Sequence, residues 1–146
     1  MKIYTLLENE EKSDILGCWE KHLMGYSIVI GYSATGAIFL RNPETKEHLV
    51  LYPSMPGNNC KGYGIFESTK EFEEEILKSE EFPYFGLYPI EPDELLILEK
   101  NLGPCEKEQV YYPVPEPAIG GSGELETFDK GNVWVHTDIV GQNIGL

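Results

Sequence analysis

Short runs rich in apolar and aromatic residues, separated by turn residues, lie in the first half of the chain and are typical of β-strands. Four runs follow this pattern: Tyr26–Tyr32, Ala37–Arg41, His48–Tyr52 and Lys61–Phe66. The segment Asn42–Lys46 separates the second and third runs, and Pro43 suits the first corner of a type I turn. We therefore predict a β-hairpin here, within a small antiparallel sheet.

Helical spacing precedes and follows these runs. The residues Lys12–Leu23 repeat apolar side chains at helical intervals, which predicts an amphipathic helix with one buried stripe. Its members are Ile15, Leu16, Trp19 and Leu23. Ser68 and Glu71 match a capping box, so a second helix is expected to start there, with Phe72, Ile76 and Leu77 facing inward.

A third helix is predicted from Pro92 to Leu102, because proline favours a first turn and Gly103-Pro104 favours a stop. The continuous apolar run Leu95–Leu98 is also compatible with a buried strand, and the pattern alone leaves this alternative open.

Prolines and glycines interrupt the C-terminal third. Pro113, Pro115 and Pro117 exclude a central strand, so Tyr111–Pro117 is predicted to be an extended edge or a loop. A short helix is expected over Glu124–Lys130. Asn132 is a suitable cap for a last helix, Val133–Gln142. The buried residues expected in that helix are Trp134, Val135, Ile139 and Val140.

The order of elements is a helix, several adjacent strands and then helices. This order favours an α+β fold over repeated βαβ units. We predict one domain over residues 1–146, with a small antiparallel sheet of about four strands packed by several helices.

The net charge of the chain indicates which classes of partner it would attract. The chain has 25 acidic residues against 11 lysines and arginines, for a formal net charge of −14. Nucleic acid and anionic membrane surfaces both need a basic footprint, so neither is expected as a partner, whereas a basic protein would be attracted. The only arginine is Arg41.

Cysteine usage and the N-terminus predict a cytoplasmic location. Cys18, Cys60 and Cys105 are odd in number and widely spaced, which disfavours a disulfide framework. The N-terminus has no apolar run of signal-peptide length, and no segment approaches the ~18 apolar residues of a membrane span.

No motif in the sequence predicts catalysis, a metal or a cofactor. The segment Gly31–Gly36 has the glycine spacing of a phosphate loop, but Ala37 stands where the lysine is required. His22, His48 and His136 form no local ligand pair, and the serines lack a GxSxG elbow. A site assembled from distant residues stays open, above all if His136 meets a carboxylate or thiol in a pocket.

The most polarised segment runs from Glu67 to Glu81. A solvated helix face is the simpler interpretation, and a docking surface for a basic partner is the functional one. The acidic residues proposed for this docking are Glu71, Glu73, Glu74, Glu75, Glu80 and Glu81.

Several segments together resemble the C-terminal domain of type VI secretion DNase-immunity proteins, a SUKH/GAD-associated bacterial family. They are Gly36–Thr45, Ser68–Leu77, Leu102–Pro104, Glu108–Pro115, Ala118–Gly121 and Leu125–Ile144. The chain departs from the family pattern at Ala37, Asn42 and Lys46 and at Glu116-Pro117. Only about 25 residues precede the first predicted strand, too few for the family's N-terminal GAD-like domain.

The resemblance implies an immunity protein that binds and blocks a secreted toxin, typically a nuclease, without chemistry of its own. Two alternatives stay open. One is a regulatory module that binds a small ligand or metal through the glycine-rich loop and Tyr111, Tyr112 or Trp134. The other is an enzyme with a non-local site.

Overall fold

Five antiparallel strands form the main sheet in the computed structural model, which describes residues 2–146. They are Tyr4–Lys12 (β1), Ile28–Ser33 (β2), Ile38–Arg41 (β3), Glu47–Leu51 (β4) and Cys60–Ile65 (β5). Each strand pairs with the next in chain order. The α+β class and the hairpin are confirmed. The main sheet has one strand more than the four predicted, namely β1, which lies before Tyr26.

A second sheet has two antiparallel strands, Gln109–Pro113 (β6) and Phe128–Asn132 (β7). The proline-rich segment thus enters a sheet without needing a central position, as its prolines require. The predicted helix Glu124–Lys130 is wrong in its second half. Only Leu125–Thr127 is helical, as a 3₁₀ turn, and β7 follows it directly.

Four α-helices follow the main sheet within residues 2–146. The α-helices are Thr69–Phe72 (α1), continued by a π-helical turn over Glu73–Leu77, Pro83–Gly86 (α2), Glu94–Leu102 (α3) and Val133–Asn143 (α4). Both predicted caps are confirmed: Ser68 Oγ accepts from Glu71 N at 3.1 Å, and Asn132 Oδ1 accepts from Trp134 N at 2.9 Å. The run Leu95–Leu98 is helical, so the strand alternative is wrong.

The first predicted helix is a 3₁₀ segment, Ser13–His22, interrupted at Gly17. Gly17 has φ 61° and ψ −123°, a conformation that only glycine adopts without strain. Its backbone bend brings Cys18 N to within 2.9 Å of Asp138 Oδ1 on α4. The predicted stripe still holds in part, since Leu16 and Trp19 are buried.

The main sheet is covered on both faces, which explains why its central strands are apolar at nearly every position. Ile38 and Leu40 pack with the 3₁₀ segment and α4, while Phe39, between them, packs with Phe72 of α1. A third cluster joins α3 to the small sheet. No helix within residues 2–146 has the length and hydrophobicity needed to cross a membrane.

Candidate functional site

The acidic residues proposed for docking lie on α1, its π-helical extension and the turn beyond it. Phe72 and Leu77 are buried against the sheet, and this arrangement directs the acidic side of the segment outward. Glu71 and Glu73 are half-buried. The exposed members are Glu74, Glu75, Glu80 and Glu81.

Two of these six carboxylates already have partners. Glu73 Oε2 accepts a hydrogen bond of 2.6 Å from the Tyr4 hydroxyl. Burial of the Tyr4 hydroxyl raises its pKa, and the hydrogen bond to Glu73 raises this pKa further. Glu74 Oε1 accepts from Lys78 Nζ at 2.9 Å, and this bond lowers the pKa of Glu74. No cation among residues 2–146 pairs with Glu75, Glu80 or Glu81, so these three carboxylates face solvent uncompensated.

A cleft of about 400 Å³ opens between the segment that follows β6 and the outer side of α4. Backbone hydrogen bonds hold its wall in place. The Glu116 carbonyl accepts from Ile119 N at 3.0 Å and from Gly121 N at 2.9 Å, and Ala118 N donates to Ser54 O at 3.1 Å. The 3₁₀ turn Pro117–Ile119 is therefore anchored to the loop between β4 and β5, and Glu116 has a fixed backbone position.

Glu116 and His136 form the polar floor of this cleft. Glu116 is only 4% exposed, and Nε2 of His136 contacts its Oε1. The imidazole also stacks on the Tyr112 ring, with centroids 3.9 Å apart. Neither carboxyl oxygen of Glu116 accepts an aligned hydrogen bond from the described residues. A buried carboxylate with so little compensation is costly, which marks this position as unusual.

The rim of the cleft is apolar and exposed. Its side chains are Val114, Ile119, Val135 and Ile139, with 57%, 39%, 59% and 49% of their surface exposed. The prediction that Val135 and Ile139 are buried is wrong. They stand one turn apart on the outer side of α4, whereas the inner side carries Trp134, Thr137 and Val140.

The residues named for a ligand-binding module do not come together. The Tyr111 hydroxyl donates to Gly103 O at 2.6 Å, and Trp134 packs edge-on against Tyr32, so both serve the core. Only Tyr112 lines the cleft. Burial, with the charges of Asp129 and Glu116, raises the pKa of Tyr112.

The three histidines lie apart, on the first 3₁₀ segment, β4 and α4, and residues 2–146 contain no cluster suited to a metal. His136, however, does meet a carboxylate in a pocket, which is the observation that the sequence analysis set for a non-local site. Twenty positions of sequence separate Glu116 from His136, and no local spacing signals their contact. Packing of α4 against the proline-rich segment creates it.

The polar chemistry of the cleft includes an imidazole beside a carboxyl group. A carboxylate in this position can orient an imidazole as a base. No serine, threonine, cysteine or lysine is among the residues that line the cleft. What remains is a concave apolar surface with convergent polar groups, the usual composition of a ligand site.

A scan of the chain against protein-family models finds no match, and a search of curated protein sequences finds none either. Among solved structures, the fold is similar to the crystal structure of Atu4351 from Agrobacterium tumefaciens, with a TM-score of 0.65. The sequences are 19% identical, and the match covers 97% of this chain and 67% of that chain. At this identity the likeness shows a shared fold alone.

Proposed function

We propose that this chain is a cytoplasmic, non-catalytic immunity protein that binds and neutralises a basic secreted toxin of the nuclease class. The observation that carries the proposal is the unpaired charge of the acidic segment. Glu75, Glu80 and Glu81 are exposed in a chain of net charge −14, and no cation among residues 2–146 pairs with them.

Such a surface suits a nuclease as its partner. A nuclease groove is basic because it must attract phosphates, and an acidic protein surface competes for the same field. The rigid sheet behind α1 supports this role, since Phe72 and Leu77 fix the segment that bears the carboxylates. Because the segment needs little reordering when it docks, little binding free energy is lost to ordering it.

The function is tested with the product of the gene adjacent to the one that encodes this chain. We expect its expression to arrest bacterial growth, and co-expression of this chain to restore growth through a stoichiometric complex. If the two purified proteins form no complex and growth is not restored, neutralisation of this toxin is rejected.

The docking surface is tested with a triple variant, Glu75→Lys, Glu80→Lys and Glu81→Lys. We expect the association rate constant with the toxin to fall at least about tenfold at low salt, because electrostatic steering is reversed locally. The matched control changes Glu11, Asp14 and Glu20 to lysine. These exposed acids lie on the side of the sheet that the 3₁₀ segment covers.

Both triple variants change the net charge equally, so their comparison separates a local surface from the overall field. Equal slowing by the two variants contradicts docking through the acidic segment while leaving toxin binding intact. An unchanged rate in both contradicts steering by charge altogether.

A further inference from the structure

The cleft between the 114–119 segment and α4 has features that toxin binding through the acidic segment does not use. Its volume, about 400 Å³, falls within the range of small-molecule sites. A cleft of this size can hold a whole small molecule.

Glu116, at the floor of the cleft, has one close donor among the described residues, the His136 ring, and their contact is not aligned as a hydrogen bond. Glu116 is more than nine-tenths buried, and its carboxyl oxygens accept no aligned hydrogen bond within residues 2–146. The His136 ring contacts Oε1 there. Lysine and arginine are absent from the residues that line the cleft. A ligand that brought an N–H donor to Glu116 would compensate the buried charge.

The rim supplies the second half of the recognition. Val114 and Ile119 on one wall, with Val135 and Ile139 on the other, expose apolar surface together and not as scattered residues. Contiguous exposed apolar surface around a polar floor marks a binding site. A hydrocarbon group held between these walls would cover it.

The charge of Glu116 and the net charge of the chain predict whether the ligand is a cation or an anion. An anion would meet both the Glu116 carboxylate and the field of a chain with net charge −14. A cation is favoured by both. An ammonium or guanidinium group also carries several donors, whereas a neutral alcohol carries one.

We propose that this cleft binds a free small organic cation, an ammonium or guanidinium group on a hydrocarbon body. The cationic head lies against Glu116, and the hydrocarbon lies between the Val114–Ile119 wall and the Val135–Ile139 wall. The head is directed at Oε2, which has no hydrogen-bond partner within residues 2–146. Its charge then lies near the His136 ring, so occupancy changes the surroundings of the imidazole that stacks on Tyr112. The site is independent of the acidic segment, and either proposal can fail alone.

The test uses n-hexylammonium as the probe, with 1-hexanol and hexanoate as matched neutral and anionic controls. Binding is followed by amide and imidazole NMR shifts of the full chain at pH 7. We expect saturable shifts at residues 114–119, 135, 136 and 139, and affinity for hexylammonium at least about tenfold above that for hexanol. Equal affinity for hexanol, tighter binding of hexanoate, or shifts confined to other surfaces would overturn the proposal.

Two variants test which residues of the cleft recognise the hexylammonium probe. Glu116→Gln keeps the side-chain shape and removes the charge, so it should abolish the preference for hexylammonium, while Glu126→Gln, an exposed acid outside the cleft, should retain it. Ile139→Lys places a competing ammonium at the half-exposed rim without disturbing the core, and should weaken the probe about tenfold. It keeps the test decisive if Glu116→Gln does not fold. Retention of the preference in the folded variants overturns the assignment.

A final comparison distinguishes two possible occupants of the cleft, a free amine and the lysine side chain of a partner protein. A blocked peptide with a central lysine is compared with hexylammonium under the same conditions. Weaker binding of the peptide supports a small-molecule site. Tighter binding overturns it and identifies the cleft as a protein-docking surface.

Discussion

His48 is a buried imidazole whose surroundings suit only its neutral form. It is 1% exposed and stacks on the Phe72 ring with centroids 4.8 Å apart. Its Nδ1 lies 2.9 Å from the Lys46 carbonyl, an acceptor, so Nδ1 carries the hydrogen and donates it. Nε2 has no hydrogen-bond partner within the described residues. Burial lowers the pKa of His48 below 6.5.

This environment predicts a loss of stability in acid. Below pH 6.5 the unfolded chain binds a proton at His48 that the folded chain resists, so the free energy of unfolding falls as the pH falls. The contribution of one group reaches at most about 1.4 kcal/mol per pH unit. Urea unfolding of wild type and His48→Phe between pH 5 and pH 7.5 measures it.

We expect His48→Phe to show a shallower loss between these pH values than wild type. The control is His22→Gln, which alters an exposed histidine and should keep the wild-type slope. Identical slopes for His48→Phe and wild type would show that His48 titrates alike in both states.

The close packing of α4 on the 3₁₀ segment depends on a helical glycine. A Cβ at Gly141 would lie 2.5 Å from Cys18 Sγ and 2.6 Å from Trp19 Nε1. Trp19 cannot easily move, because it is buried and donates to Thr137 O at 2.8 Å. Alanine normally favours a helix over glycine by about 1 kcal/mol, but overpacking costs about 1–3 kcal/mol.

We therefore expect Gly141→Ala to lower the free energy of unfolding, measured by urea denaturation, despite the better helix propensity of alanine. Gly62→Ala is the matched control: nothing lies within 4 Å of its Cβ position, so a change within about 0.5 kcal/mol is expected. A stabilised Gly141→Ala protein would mean that α4 stands farther from Trp19.

Elements with one clear sequence signal were predictable, and those with mixed signals were not. The short apolar runs of β2, β3 and β4 and the caps Ser68 and Asn132 specify structure within a few residues. Strand β1 was hidden because its exposed second half carries Glu8, Glu10 and Glu11. Charged residues there suit an edge strand, since they discourage pairing with another chain.

The candidate cleft was not predictable for a different reason. Helix α4 is apolar on two sides, so spacing could not show that Val135 and Ile139 are exposed while Thr137 is buried. The sequence around Glu116 did not indicate a site residue either, because the contact of Glu116 with His136 depends on how the proline-rich segment packs. Only the acidic segment could be located from sequence, since charge is a property of composition.

For the whole molecule, excess negative charge dominates over ion pairing. The described residues form three ion pairs between lysine or arginine and glutamate, all at least partly exposed, against a formal net charge of −14. Exposed ion pairs contribute little, whereas repulsion among many like charges opposes the compact state. Salt screens both interactions, so the larger one sets the direction of its effect.

We therefore expect NaCl to stabilise this protein, with a melting temperature about 2 °C or more higher at high than at low ionic strength, measured by calorimetry. The Glu11→Lys, Asp14→Lys, Glu20→Lys variant carries less net negative charge and should respond less to salt. A melting temperature that falls with salt would instead place the balance with ion pairs such as Arg41–Glu10, whose Nη2 and Oε1 atoms lie 2.6 Å apart. The same repulsion that weakens the isolated fold would be relieved by a basic partner, because binding neutralises the carboxylates that salt only screens.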